Sequence, residues 1–414
     1  MTPREAEEYL LGLELFGMRF GLDRMHKLMT VLGMPQRRYA SIHVVGSNGK
    51  SSTVRFIAAI LQRHGLLTGT YTSPHLRFFR ERIEVAGRPA TEQRFAEAVA
   101  RAKRGAEMVE RTLDDDDGVT QFEALTAAAY HELAVSGVEV AVIEAGLGGR
   151  YDATNVIPSR VQVLTGVGLE HTRWLGPTVA DIATEKLAVV RDGGTLVVGS
   201  LEPGVAALAE HAASDHHARL VHATGTESVP PLRAAGTFQR HNFALALAAA
   251  EAFLERPLDS GAVRAAAAET LVPGRLEAVD RDPLTLYDGA HNPAGAEALA
   301  AALEGVIGQR RPLVLVLSVL EDKDAAGMLA ALLPLAGEVV FTRCGNPRSL
   351  SPATLGSLAA QVADVPGRTV ADPRAAVACA RELAGREGAV LATGSIYLIA
   401  DLVREEGDAR ASAL

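Results

Sequence analysis

Cysteine is nearly absent: 414 residues carry only Cys344 and Cys379. Neither has a neighbour suited to metal binding, and two lone thiols exclude a disulfide framework, leaving reduced cysteines of a cytoplasmic protein as the expectation. Long apolar runs are missing as well. No stretch approaches the ~20 residues of a membrane span. The opening "MTPREAEEYLLGLELFG" is acidic and lacks the basic start and apolar stretch of a secretory signal. Basic charge is in deficit, with a formal net charge of −9, so no nucleic-acid partner is expected. There is no repeat of solenoid type.

What is present is ordinary globular material, 48% hydrophobic and 22% charged, in a chain long enough for two domains. Short β-branched runs alternate with Ala-rich helical stretches, the pattern of an α/β protein with largely parallel strands. Strands are predicted at 41–45, 67–72, 138–143, 160–167 and 194–200, and a second series at 284–289, 312–319, 337–343 and 388–394. Pro273-Gly274 punctuates the interval between the series, which puts a domain boundary there: 1–273 and 274–414. The run "DDDD" (114–117) reads as a solvated loop.

The most informative stretch is "VVGSNGKSS" (44–52). The usual phosphate loop is Gly, four residues, then Gly-Lys-Ser/Thr. Gly49-Lys50-Ser51 supplies the second half, but position 44 is Val44 and the nearest glycine is Gly46. The strand before it and the helix after it, with Val54, Ile57, Ala58 and Leu61 on one face, favour nucleotide binding over an ordinary glycine turn. Lys50 would place charge on terminal phosphates, and Ser51 or Ser52 would offer hydroxyls.

Ligands of open parallel sheets gather at the carboxyl ends of strands. Three such ends carry candidates: Ser73 and His75 in "TSPHL", Glu144 before "AGLGGRYDATN", and His171 in "GLEH". A carboxylate closing an apolar strand is the usual metal-holding partner of a phosphate loop. Magnesium prefers oxygen ligands, so a histidine ligand would be atypical. Lys186, in "DIATEKLAVV", reads from spacing alone as a surface helix lysine.

These segments together resemble the folylpolyglutamate synthase and dihydrofolate synthase family, within the Mur ligase superfamily. The resemblance runs through Gly46-Ser47-Asn48-Gly49-Lys50-Ser51-Ser52, "TSPHL", "ERI" (81–83), "TQFEALT" (120–126), "EAGLGGRYDATN" (144–155) and "GLEH" (168–171). It continues through "PGR" (273–275), "DGAHNP" (288–293), "DKD" (322–324) and "TGS" (393–395), nearly the whole chain. Three positions depart from the family pattern. Ser51 stands where glycine is usual, Phe238 where histidine is common, and Arg80 where asparagine is frequent.

The resemblance implies a P-loop ATPase domain and a smaller C-terminal Rossmann-like domain that completes the nucleotide and glutamate site in the cleft between them. It implies an ATP-dependent ligase adding L-glutamate to dihydropteroate, to a folate, or to both, through an acyl phosphate. The alternatives are another Mur-type amino-acid ligase, or an ATP-binding regulator without catalysis. Gly49, Lys50, Ser51, Ser52, Asn242, Arg275, Asp288 and His291 are implied to bind ATP, with Lys50, His291 and Lys186 catalytic. Ser73, Glu144 and His171 are implied to hold Mg²⁺, and Lys186 to carry a CO₂-derived carbamate. Gly21, Leu22, Asp23 and Arg24, Thr120, Gln121, Phe122 and Glu123, and Tyr151, Asp152 and Ala153 match segments that hold the pterin acceptor. Lys323 and Arg348 are candidates for the incoming glutamate. Small-molecule partners and a monomer are expected.

Overall fold

The computed structural model describes residues 1–14, 21–114 and 117–405. Positions 15–17 of the acidic opening stretch and 115–116 of the acidic run lie outside the described residues. The chain divides into two compact units: Met1–Pro231 with His241–Thr270, and Leu232–Arg240 with the residues from Leu271 onward. The division thus falls inside the helix Phe238–Leu254 and again close to Pro273-Gly274.

The first unit is built on β1 (Ala40–Val45), β2 (Thr68–Tyr71), β3 (Ile83–Val85), β4 (Arg88–Pro89), β5 (Val140–Glu144), β6 (Val161–Leu164), β7 (Thr195–Val198) and β8 (Arg219–His222). They form one sheet in the order β4-β3-β2-β5-β1-β6-β7-β8. It is parallel throughout except at β3 and β4, an antiparallel edge. The five strands expected here are present. The strands β3, β4 and β8 are too short and too polar for apolar runs to reveal them. β5 and β1 are buried on both faces, the condition of a central parallel strand covered by helices.

The second unit holds β9 (Glu277–Arg281), β10 (Leu284–Tyr287), β11 (Leu313–Leu317), β12 (Glu338–Phe341), β13 (Gly367–Thr369) and β14 (Ala389–Thr393). Their order is β13-β12-β11-β14-β10-β9, with β9 alone antiparallel. Each unit has its own apolar core. This two-unit α/β architecture is the fold class that the alternating strand and helix pattern implies.

The helix Lys50–Arg63 starts directly after the loop that follows β1. Its predicted apolar face is buried: Val54, Ile57, Ala58 and Leu61 lie against the sheet side. Phe56 of this helix meets Phe243 of the helix Phe238–Leu254 edge-on, with centroids 5.1 Å apart and both rings fully buried. Edge-to-face packing adds to the area that each ring removes from water. Phe243→Ala should therefore destabilise the first unit by about 3–5 kcal/mol, read as a lower urea midpoint by circular dichroism.

Candidate active site

The loop after β1 is short because two glycines let it turn tightly. Gly46 has φ 148° and Gly49 φ 84°, both in territory that side chains avoid. A Cβ at Gly46 would collide with Thr165 Oγ1, and one at Gly49 with Asn242 Oδ1. The loop is then pinned from the end of β6. Ser47 N donates to Gly166 O at 2.9 Å, Gly168 N to Ser47 Oγ at 3.0 Å, and Thr165 Oγ1 to Asn48 O at 2.6 Å. Lys50 Nζ lies over the same loop, donating to Gly46 O at 2.8 Å and Ser47 O at 3.1 Å. A helix N-terminus opening at Lys50 supplies free backbone N–H groups for an anion.

Glu144 ends β5 opposite Val44 of β1 and is buried. Ser51 Oγ donates to Glu144 Oε1 at 2.9 Å, and Ser73 N donates to Oε2 at 3.2 Å. One carboxylate thus ties together the loop helix and the end of β2. Ser51, Ser73 and Glu144 are brought to one place. His171 is exposed, in left-handed conformation at φ 47°, and caps the short helix Thr172–Leu175. Its neighbour Glu170, which the sequence does not single out, is paired with Lys186. Among the described residues no group of three or more His, Cys, Asp and Glu side chains is gathered as for a metal.

Lys186 corrects the surface reading that spacing gives: its side chain is 2% exposed. Its Nζ donates to Glu170 Oε1 at 2.7 Å and to Gly46 O at 3.0 Å. A lysine fifteen positions past the end of the "GLEH" motif is therefore anchored to the phosphate-type loop itself. Burial pushes its pKa down, and Lys50 adds to this, while Glu170 offsets part of it. For Glu170, burial alone would raise the pKa, but Lys186 and Lys50 outweigh it and hold the carboxyl at about 2. The pair is therefore ionised at Glu170, and the strain of burial falls on the amine.

The segment after Glu144 is held from two sides. Arg150 N donates to Glu185 O at 2.9 Å, and Arg150 Nε to Glu185 Oε1 at 2.8 Å, on the helix Val179–Leu187 that carries Lys186. Asp152 accepts from Leu147 N at 2.7 Å, from Thr154 N at 3.0 Å and from the Thr154 hydroxyl. His43 Nε2 lies 2.9 Å from that hydroxyl. Tyr151 is exposed, whereas Ala153 is buried.

The other candidate acceptor residues prove to be tied to one another. Arg24 Nε pairs with Glu123 at 3.0 Å and Arg24 Nη1 with Asp117 at 2.9 Å, all largely buried. Asp117 is thus an ion-pair partner, where the sequence suggested a solvated acidic run. Thr120 and Glu123 form the capping box of the helix Gln121–Val135. Gln121 Nε2 donates to Leu10 O at 2.8 Å. The ring of Phe122 stacks with Tyr71 at 6.1 Å. Gly21, Leu22 and Asp23 precede or begin the helix Asp23–Val31 that presents Arg24.

In the second unit, Asp288 closes β10 and is buried. Its Oδ2 accepts from Leu276 N at 2.8 Å and its Oδ1 from Ala290 N at 2.7 Å, so it clasps the turn after "PGR" to "DGAHNP". Burial raises its pKa, against the pull of Arg275. His291 Nδ1 donates to Gly289 O at 2.9 Å, because a carbonyl oxygen only accepts. Asp322 bridges Lys323 at 3.2 Å and Arg348 at 3.3 Å, so the two cations named for a carboxylate ligand share one counter-ion.

A strand, a short glycine loop, a buried strand-end carboxylate and a lysine over the loop form a nucleotide-phosphate site. The model of the Mur ligase glutamate ligase domain matches residues 274–396. The dihydrofolate synthase/folylpolyglutamate synthase of Mycobacterium tuberculosis is 37% identical over 405 residues, covering 87% of this chain and 83% of the relative. That of Bacillus subtilis is 32% identical, covering 96% of this chain and 98% of the relative. Among solved structures, Mycobacterium tuberculosis folylpolyglutamate synthase complexed with ADP superposes with a TM-score of 0.90 at 34% identity, covering 97% of both chains. Escherichia coli FolC in complex with DHPP and ADP gives 0.86 at 28% identity, again covering 97% of both. The chain belongs to the dihydrofolate synthase/folylpolyglutamate synthase family of ligases.

His43 yields a test of the site's electrostatics. Burial first, and the charge of Arg191 second, push its imidazole from an ordinary 6.5 down to about 3. Between these values the unfolded chain binds a proton that the folded chain does not. This contribution to stability is complete above pH 6.5 and is lost as pH falls toward 3. Melting temperature should accordingly fall with acid more steeply in the wild type than in His43→Gln, over that window.

Proposed function

We propose that this chain joins L-glutamate to the carboxylate of a pterin acid or folate at the expense of ATP, and that dihydropteroate is among its acceptors. The observation that carries the reading is the loop Gly46–Gly49 beside the Ser51–Glu144–Ser73 contact, in a chain of this family. Relatives named for both activities, and solved relatives complexed with ADP, support it. The second unit would contribute Arg275, Asp288 and His291 to the nucleotide. Its two cations Lys323 and Arg348 would serve a glutamate carboxylate. The acceptor would be held by the segments around Arg24, Phe122 and Asp152.

In the first step an acceptor carboxylate oxygen attacks the γ-phosphorus of ATP, and ADP leaves. In the second the glutamate amine attacks the acyl phosphate carbon, losing a proton as inorganic phosphate departs. Lys50 would exchange its loop carbonyls for phosphate oxygens, and the N–H groups opening its helix would face the same charge. Of the residues proposed to hold magnesium, Glu144 and the Ser73 hydroxyl would be oxygen ligands that suit it, and His171 would be the single nitrogen. When bound, that ion would neutralise charge on the transferring phosphoryl group. The test is purified protein with ATP, labelled glutamate, and dihydropteroate or tetrahydrofolate as separate acceptors. Incorporation into dihydropteroate is the expected result; incorporation into reduced folates alone would remove that acceptor. Glu144→Ala should remain folded and lose ligation by at least about a hundredfold, and near-normal turnover would overturn the metal assignment.

The carbamate on Lys186 is part of the same reading. Attack of the neutral amine on CO₂ forms the N–C bond and releases one proton. The burial that lowers the amine's pKa favours the neutral form. The product replaces a cation beside the loop with an anionic oxygen donor, suited to steady the metal's water or to orient His171. Lys186→Ala should lose ligase activity, with partial recovery in acetate. A ¹³CO₂ NMR experiment should give a carbamate resonance in the wild type and none in the variant. Reduced folates and ATP imply small-molecule partners, and the lack of basic excess accords with no nucleic-acid role. No helix among the described residues is long and apolar enough to cross a membrane. A cytoplasmic monomer completes the proposal, in keeping with two free cysteines.

A further inference from the structure

His43 sits in the middle of β1, opposite Ile143 of β5 and Gln162 of β6, and is fully buried. An aliphatic side chain of similar size would bury there without a polar group to satisfy. Its Nε2 is 2.9 Å from Thr154 Oγ1. Both oxygens of Asp152 receive backbone N–H groups, Thr154 N at 3.0 Å and Leu147 N at 2.7 Å, the pattern of an ionised carboxylate. Such a group only accepts, so the Thr154 hydroxyl hydrogen goes to Asp152. The Thr154 oxygen is then left to accept from His43, which fixes the imidazole hydrogen on Nε2. Nδ1 keeps a lone pair that no protein donor reaches. The direction of the chain is set: imidazole N–H to hydroxyl to carboxylate. Tyr130 OH, donating to Thr154 O at 2.8 Å, holds the same residue from the helix Gln121–Val135.

The chain joins β1 to the segment that follows β5. β1 ends two residues past His43 and runs directly into the glycine loop. Thr154 and Asp152 belong to the segment Leu147–Thr154, whose far side is tied through Arg150 to the helix bearing Lys186. We propose that His43 is a positioning residue for ligation: acting through Thr154 and Asp152, it sets the acceptor-binding segment relative to the strand that carries the phosphate loop. The inference rests on the acceptor reading of the Asp152 segment. It touches no substrate, so its signature is in acceptor binding and not in nucleotide binding.

The test is steady-state kinetics with dihydropteroate on folded variants of the full chain. Thr154→Val keeps the shape and removes the hydroxyl, and His43→Leu removes the donor. Each should raise the KM for dihydropteroate by about tenfold, the scale of one lost hydrogen bond, with the KM for ATP within about twofold. The double variant should be no worse than either single one, since both break the same chain. Thr154→Ser and His43→Gln retain the hydroxyl and an N–H near Nε2, and should recover most of the loss. A folded Thr154→Val enzyme with wild-type acceptor KM, or equal rises in both KM values, overturns the proposal. Should His43→Leu fail to fold, Thr154→Val with its Ser counterpart decides alone. Asp152→Ala separates the two ideas. If it leaves the acceptor KM unchanged, the acceptor assignment fails and the chain falls with it. If it raises KM while Thr154→Val does not, only the chain falls.

Discussion

A carboxylate buried at the end of a central strand must be satisfied, and in this protein that requirement organises the first unit. Glu144 receives Ser51 from the helix after the glycine loop and Ser73 N from the end of β2. An unpartnered carboxylate there would carry a large desolvation penalty. Its partners are therefore held where they stand, and with them the loop and the neighbouring strand end. The parallel order β2-β5-β1-β6 places all these termini on one edge. What the site can do follows from that alignment, which brings hydroxyls, a carboxylate and helix N–H groups to one loop.

The second organising feature is electrostatic. Lys50 and Lys186 both donate to Gly46 O, which concentrates two cations on one short loop. Glu170 offsets them, and the ion pair with Lys186 is almost wholly out of water. Such a pair contributes little net stability relative to an apolar substitute, but removing one partner strands the other at a large cost. Its presence beside the loop therefore makes better sense as chemistry than as a stabilising contact. The lowered basicity of Lys186 is the same fact seen from the amine.

A third theme is that several residues matched to ligand-binding segments also build their own support. Arg24, Asp117 and Glu123 form a buried ion triad, Thr120 and Glu123 cap a helix, and Asp152 ties its own loop. A motif that repeats in a family can encode the scaffold of a site as much as its contacts. Tyr151 is exposed, and the Phe122 ring stacks on Tyr71.

The sequence by itself determined the class of fold, since buried parallel strands must read as short apolar runs between amphipathic helices. It also determined the loop, because Gly-Lys-Ser between a strand and a helix carries its chemistry locally. Glu144 was legible as a strand-closing acid for the same reason. Only the tertiary structure decided what depended on distant partners. Lys186 looks like a surface lysine from its helix, and its burial against Glu170 and Gly46 arises from packing across 140 positions of sequence. Asp117 reads as one charge in an acidic run until Arg24 meets it. His43 is one polar residue in a strand, and its link to Thr154, 111 positions away, exists because β1 pairs with β5, which leads into the segment that carries Thr154. Local pattern fixes which elements form and where their ends point. Which buried polar groups satisfy one another is settled by strand order and packing, and no local pattern records it.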